Sequence, residues 1–95
     1  MLYFDWSAEK NERLKAEREI GFEDIVVAID EGNVLAIVPN PSPRYPKQKI
    51  VIVAVNNYAY LVPYVESGDR IFFKTIIPSR KATERYIIAP KKKRR

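Results

Sequence analysis

The chain contains neither cysteine nor histidine. Without cysteine there is no disulfide framework and no thiolate metal site. Without histidine the commonest zinc ligand is missing, and with it the only side chain that titrates near neutrality when unperturbed. Imidazole catalysis is excluded outright, and no metal or other cofactor is expected. Asp5, Glu23, Asp24, Asp30 and Glu31 fall at no metal-ligand spacing. No Gly-rich phosphate loop, Ser or Cys nucleophile motif or paired-carboxylate motif stands out. No apolar run approaches the roughly 20 residues of a membrane span. Met1–Trp6 lacks the charged and apolar regions of a signal peptide. A cytoplasmic setting without membrane contact is the expectation.

What is present is charge of uneven placement. The formal net charge is +5, from 17 basic and 12 acidic residues. The last five residues, Lys91–Arg95, are all basic, and taking them away leaves twelve of each sign. The excess therefore sits in a tail, and such a run is either a solvated arm or a contact for polyanions. A length of 95 residues fits one domain over 1–90 followed by the tail at 91–95.

The stretch from Lys49 to Lys81 organises the rest. Its Val-, Ile-, Phe- and Tyr-rich runs are punctuated by Asn56-Asn57 and by Ser67-Gly68-Asp69, which reads as a three-stranded antiparallel meander. The asparagine pair suits a two-residue hairpin turn, and Gly68 suits the next turn. Before it, Leu2 to Trp6 reads as an edge strand. Ser7 is placed to cap a helix from Ala8 to Glu19, whose inward side chains are expected to be Ala8, Leu14 and Ala16. Gly21 can cap a second helix, with Phe22, Ile25, Val26 and Ile29 as its apolar stripe and Gly32 as its stop. Val34–Val38 reads as a strand, and the prolines from Pro39 to Pro46 as a surface loop. Ser79 is expected to cap a short last helix from Arg80 to about Ile88, ended by Pro90.

The fold class is thus α+β, one antiparallel-rich sheet with two N-terminal helices on one face and a short C-terminal helix. A strand over Arg70–Ile77 would turn Ile71, Phe73, Thr75 and Ile77 to the helices. Arg70, Phe72, Lys74 and Ile76 would then face the open side, beside Arg80 and Lys81. Tyr58, Tyr60 and Tyr64 share one parity on the preceding strand. Cations that hold phosphates and rings that stack on unpaired bases are the composition of an RNA-binding surface.

Phe4-Asp5-Trp6 with Lys10, then Phe22-Glu23-Asp24, then Glu66-Ser67-Gly68-Asp69 and Ile76-Ile77-Pro78-Ser79-Arg80-Lys81-Ala82-Thr83, together resemble the BrnT family. These are toxins of type II toxin–antitoxin pairs. The resemblance runs from Phe4 to about Tyr86. It implies a RelE-like fold, ribonuclease activity that inhibits translation, and a cognate antitoxin of the ribbon–helix–helix type, with DNA contacted only through that complex. The chain departs from the family pattern as a divergent branch. Glu17-Arg18-Glu19 stands where many members have Lys-His-Gly, Tyr64 where many have a histidine, and Thr75 where an arginine is common.

An RNA-cleaving reaction here must run without imidazole. Attack of a ribose 2′-hydroxyl on its own 3′-phosphate needs a base, a cation for the developing charge and a proton for the leaving oxygen. The catalytic candidates are Lys74 as base, Arg80 and Arg18 as phosphate grips, and Tyr64 as a proton carrier. Lysine has an ordinary pKa of about 10.4, so a lysine base requires close cationic neighbours. Arg70 and Arg80 are the neighbours expected of Lys74. Arg70, Lys81 and Lys15 are candidates for holding RNA. Two other readings stay open: a catalytically inactive antitoxin-binding partner acting in operon repression, and a small RNA-binding module.

Overall fold

The computed structural model describes residues 2–93. β1 (Tyr3–Asp5) leads into α1 (Ala8–Arg18) and α2 (Phe22–Asp30). Four strands follow: β2 (Val34–Pro39), β3 (Lys49–Val55), β4 (Tyr58–Ser67) and β5 (Arg70–Phe73). A two-residue strand β6 (Ile77–Pro78) precedes a C-terminal helix built from α3 (Arg80–Thr83), a π-helical stretch (Glu84–Ile88) and α4 (Ala89–Lys93). The strand order is β1-β5-β4-β3-β2, with β6 also paired to β4. Every pairing is antiparallel except β1 with β5. The α+β architecture with both N-terminal helices on one face is the one expected. Among the described residues no helix is long and apolar enough to cross a membrane.

The turns form as their residues dictate. Asn56 and Asn57 have φ of 52° and 63°, the left-handed pair that a two-residue hairpin needs. Gly68 supplies φ of 62° at the β4–β5 turn. The Ser7 hydroxyl accepts the Lys10 N–H at 3.2 Å and starts α1. Gly21, which has no side chain to cap α2, is served instead by Asp24, whose carboxylate accepts the Gly21 N–H at 2.9 Å. A Cβ on Gly21 would fall 2.6 Å from Glu23 Oε1 and 2.9 Å from Asn11 Oδ1, so a larger residue would have to push these side chains aside and disturb the buried Asn11 amide.

α1 turns a different stripe inward from the one expected. Leu14 is buried, but Ala8 and Ala16 are exposed, and Asn11 takes the second inward position. At about 100° per residue, Ala16 lies roughly 200° around the helix from Leu14, whereas Asn11 lies three residues back on the same face. Asn11 Oδ1 accepts the Phe22 N–H at 2.7 Å and its Nδ2 donates to Glu23 Oε2 at 2.9 Å. One buried polar side chain thus fastens α1 to the first turn of α2.

Between these helices and the sheet lies the larger core, which includes Phe22, Ile25, Val53, Val62, Phe73 and Ile76. Its centre is a set of stacked rings, with Phe4 5.4 Å from Phe73, Phe73 5.8 Å from Phe22, and Phe22 5.6 Å from Trp6. Such stacked pairs contribute about 0.5–1.5 kcal/mol each beyond their burial. The other sheet face is not open along its length. Ile50, Ile52, Ala59 and Leu61 pack there against Ala82, Tyr86 and Ile87 of the C-terminal helix.

Two expectations about the last strand and helix are corrected. The strand expected over Arg70–Ile77 ends at Phe73 and resumes at Ile77. Tyr64 faces Phe73 while Leu61 faces Ile77, so three steps on β4 are matched by four on the other side. One extra residue is accommodated, and it reverses the faces beyond it. Ile76 is therefore fully buried and Ile77 is 40% exposed, the opposite of simple alternation. Nor does Pro90 end the helix, which runs on to Lys93. The preceding turns are π-helical, with the Ala89 N–H bonded to Glu84 O. A widened turn relieves the clash that a proline ring makes with the helix before it. Of the basic tail, Arg94 and Arg95 lie outside the described residues.

Candidate nucleic-acid interface

The irregular segment from Lys74 to Ser79 is positioned by β4. The Lys74 N–H donates to Pro63 O at 2.8 Å and the Ser79 N–H to Ala59 O at 3.0 Å. Its anchors are the polar residues of the Ser79–Thr83 stretch. Ser79 Oγ accepts the Ala82 N–H at 3.0 Å. Thr83 Oγ1 accepts the Ala59 N–H at 2.8 Å and donates to Ser79 O at 2.8 Å. Ser79 and Thr83 therefore hold the corner between sheet and helix, and the two cations between them, Arg80 and Lys81, are left exposed.

Arg18, in the last turn of α1, reaches the same segment from the other side, and its Nη1 donates to Ile76 O. Lys74 lies over the Phe72 ring, 5.2 Å from its centroid, which places its ammonium on the Phe72 face. Among the described residues no carboxylate lies within ion-pair distance of Arg18, Arg70, Lys74, Arg80 or Lys81. Lys74, Arg80 and Lys81 thus belong to one chain segment, which Arg18 meets at Ile76.

The spacing along this segment is wide. Lys74 and Arg80 flank four residues of β4, which is roughly 13 Å of backbone, and Arg70 stands a similar strand length before Lys74. Neither arginine is the close neighbour of Lys74 that the sequence led us to expect. A strand of RNA laid along 74–81 would meet Lys74 and Arg80 at different phosphates.

Tyr64 does not join them. It is 6% exposed and belongs to the core beneath the helices, on the face opposite Phe72 and Lys74. Burial, and secondarily the charge of Glu66, raises its phenol above the ordinary value, with Lys49 opposing. Tyr58 and Tyr60 do share its face, as their parity requires, and meet edge to face at 5.7 Å. That face is the helix-covered one, so the tyrosines do not accompany the cations. Lys15 is also occupied, with Nζ 3.2 Å from Glu23 and 3.6 Å from Glu12. Its pKa is raised, chiefly by the hydrogen bond to Glu23. Arg70 is exposed at the start of β5, next to Phe72 on the Lys74 side.

Beside Lys74 lies a feature that the sequence did not single out. A cleft of about 450 Å³ is lined by Asn40, Tyr45, Gln48, Pro63, Lys74, Thr75 and Ile77. The proline-rich loop forms its far wall. Amides at both ends of that loop are the only sequence trace of it. On the opposite sheet face, an apolar groove runs from Leu2 and Phe4 across to Val34 and Ile37. No protein-family model, curated protein or solved structure matches this chain.

Proposed function

We propose that the protein is the ribonuclease toxin of a type II toxin–antitoxin pair, cleaving RNA and so inhibiting translation until a cognate ribbon–helix–helix antitoxin neutralises it. The observation that carries this reading is the run of exposed cations along 74–81, with no ion pair to a carboxylate among the described residues, with Arg18 meeting the segment at Ile76 and the Phe72 ring beneath Lys74. Cations free of carboxylates are available to phosphates, and a wet face with an aromatic ring suits single-stranded RNA. The resemblance of Phe4–Tyr86 to the BrnT family, and the order of one strand, two helices, a meander and a last helix, support the same reading.

In the reaction, the 2′-hydroxyl oxygen forms a bond to the adjacent phosphorus and the bond from phosphorus to the 5′-oxygen breaks. The 2′ proton passes to the base, for which Lys74 is the candidate, with Arg18 rather than Arg70 or Arg80 as the cation nearest in the fold to its segment. Arg18, whose guanidinium meets the same segment at Ile76 O, is the candidate to neutralise the phosphorane charge, and Arg80 is the candidate grip on a neighbouring phosphate. The leaving oxygen takes its proton from solvent, to which this face is open. Tyr64 has no part in it.

A second reading, an inactive partner that only binds an antitoxin, is favoured by the apolar groove on the opposite face, since a protein partner's apolar side chains would fill it. Alanine substitutions separate the two. If the first is right, induction of the protein arrests growth, the adjacent open reading frame reverses the arrest, and Lys74→Ala or Arg80→Ala relieves it while the protein stays folded. Arrest that persists in both variants sinks the site assignment. Unimpaired growth with folded protein present supports the inactive partner.

A further inference from the structure

We propose that the cleft beside Lys74 is a nucleobase pocket that selects a base carrying a carbonyl, uracil or guanine, where cytosine and adenine carry an amino group. The inference rests on the reading of the cation run as an RNA-binding surface. It concerns which RNA that surface prefers.

The wall of the cleft is preorganised. Tyr45 N–H bonds to Ser42 O at 3.1 Å, Gln48 N–H to Tyr45 O at 3.1 Å, and Asn40 N–H to Gln48 O at 3.0 Å. These bonds fix the loop although it carries four prolines between residues 39 and 46. Tyr45 is 46% exposed on this fixed loop, and an exposed ring at the lip of a cleft is a stacking platform for an unpaired base.

The side chains go further and set a polarity. Asn40 Oδ1 accepts the Ser42 N–H at 3.0 Å, which fixes the orientation of the Asn40 amide. Its Nδ2 then donates to Gln48 Oε1 at 3.1 Å. The Gln48 oxygen is thereby engaged and its NH2 group is the end left to a ligand. Gln48 therefore presents donors, and donors match uracil O4 or guanine O6 and meet like with like at the amino groups of cytosine and adenine. Among the described residues no carboxylate lines the cleft.

The dimensions agree with one nucleotide. Gln48 precedes β3 and Lys74 follows β5, so β4 lies between them and they stand about two strand spacings, roughly 10 Å, apart. Lys74 meets the ribose side of the nucleotide, Pro63 and Ile77 line the cleft, and the far edge of the base reaches Gln48. A volume of about 450 Å³ is within the usual range of a small-molecule site.

The test is binding of the whole protein to short 2′-O-methyl oligonucleotides, which cannot be cleaved, measured at one fixed salt concentration. A uridine hexamer should bind at least about fivefold more tightly than a cytidine hexamer, the lower end of what base-edge discrimination supplies. Gln48→Glu, which has acceptors in place of donors, should reverse that ratio, and Tyr45→Ala should weaken both oligonucleotides. Equal affinity of the native protein for uridine and cytidine, or a ratio that Gln48→Glu leaves unchanged, overturns the pocket and leaves the RNA-binding surface standing. No binding of any oligonucleotide overturns both.

Discussion

Replacing Asn11 with alanine should cost far more than a polar residue in a solvent-facing helix normally does. Asn11 is 4% exposed and accepts the Phe22 N–H, a donor at the first turn of α2 that has no helical partner of its own. Losing the acceptor leaves that N–H buried and unsatisfied, at about 1–3 kcal/mol. The bond to Glu23 adds at most roughly 1 kcal/mol, because Glu23 is half-exposed and water can replace it. A total of about 1–4 kcal/mol is a large part of the stability of a domain this size, and corresponds to a fall of roughly 4–30 °C in Tm. Asn11→Asp makes a sharper test. It keeps an acceptor for Phe22 but sets a carboxylate against Glu23 Oε2, where the amide nitrogen now stands at 2.9 Å. This variant should be destabilised at neutral pH and recover relative to the native protein as one carboxyl of the pair is protonated. Thermal unfolding of both variants by circular dichroism across pH would decide it. A loss below about 0.5 kcal/mol for Asn11→Ala, the level of an ordinary surface change, would refute the clamp.

Three further outcomes follow from the same contacts. Thr83→Ala should lose about 1–3 kcal/mol in urea unfolding, because the Ala59 N–H is then buried without its acceptor, while Thr83→Ser should recover most of the loss. Glu23 has its pKa lowered from 4.5, first by the Asn11 hydrogen bond. Its contribution to stability is therefore fully present above that ordinary value and disappears as pH falls through the lowered one. The urea midpoint of the native protein should accordingly drop below pH 4.5 more steeply than that of Glu23→Gln, and parallel acid limbs would contradict the assignment. Asn57→Ala should cost about 1–2 kcal/mol at its positive φ of 63°, whereas Asn57→Gly should be close to neutral.

Much of the fold was legible because local chemistry and tertiary packing agree. The Asn56-Asn57 hairpin, the Ser7 cap and the α2 stripe each follow from residue types that have few alternatives. The misreadings occur where one residue changes the bookkeeping. Period-two alternation places Ile77 inside and Ile76 outside, and nothing in their side chains announces the extra residue that exchanges them. Asn11 looks like a surface residue until Gly21 brings the α2 N-terminus against it. Pro90 is a reliable helix stop only where the turn before it is an ordinary α-turn.

The candidate site was legible as a set of residue types and illegible as a constellation. Lys74, Arg80 and Lys81 share one segment because β4 fixes both ends of residues 74–79, and Arg18 joins it only through Ile76 O. Tyr64 has the parity of Val62 and Phe73, and strand pairing sends all three beneath the helices. The sequence held that parity, but not which face the helices would cover. The base-binding cleft depends on a loop closing beside a residue 26 positions further along, from Gln48 to Lys74, and no local pattern encodes such a meeting.

The central claim is RNA cleavage at the Lys74–Arg80 edge. The most direct measurement is the chemistry of RNA ends in cells expressing the protein. The account predicts new 2′,3′-cyclic phosphate or 3′-phosphate ends that appear on induction and vanish in Lys74→Ala at equal levels of folded protein. Intact RNA in the presence of folded native protein, or the same ends in Lys74→Ala, would contradict it.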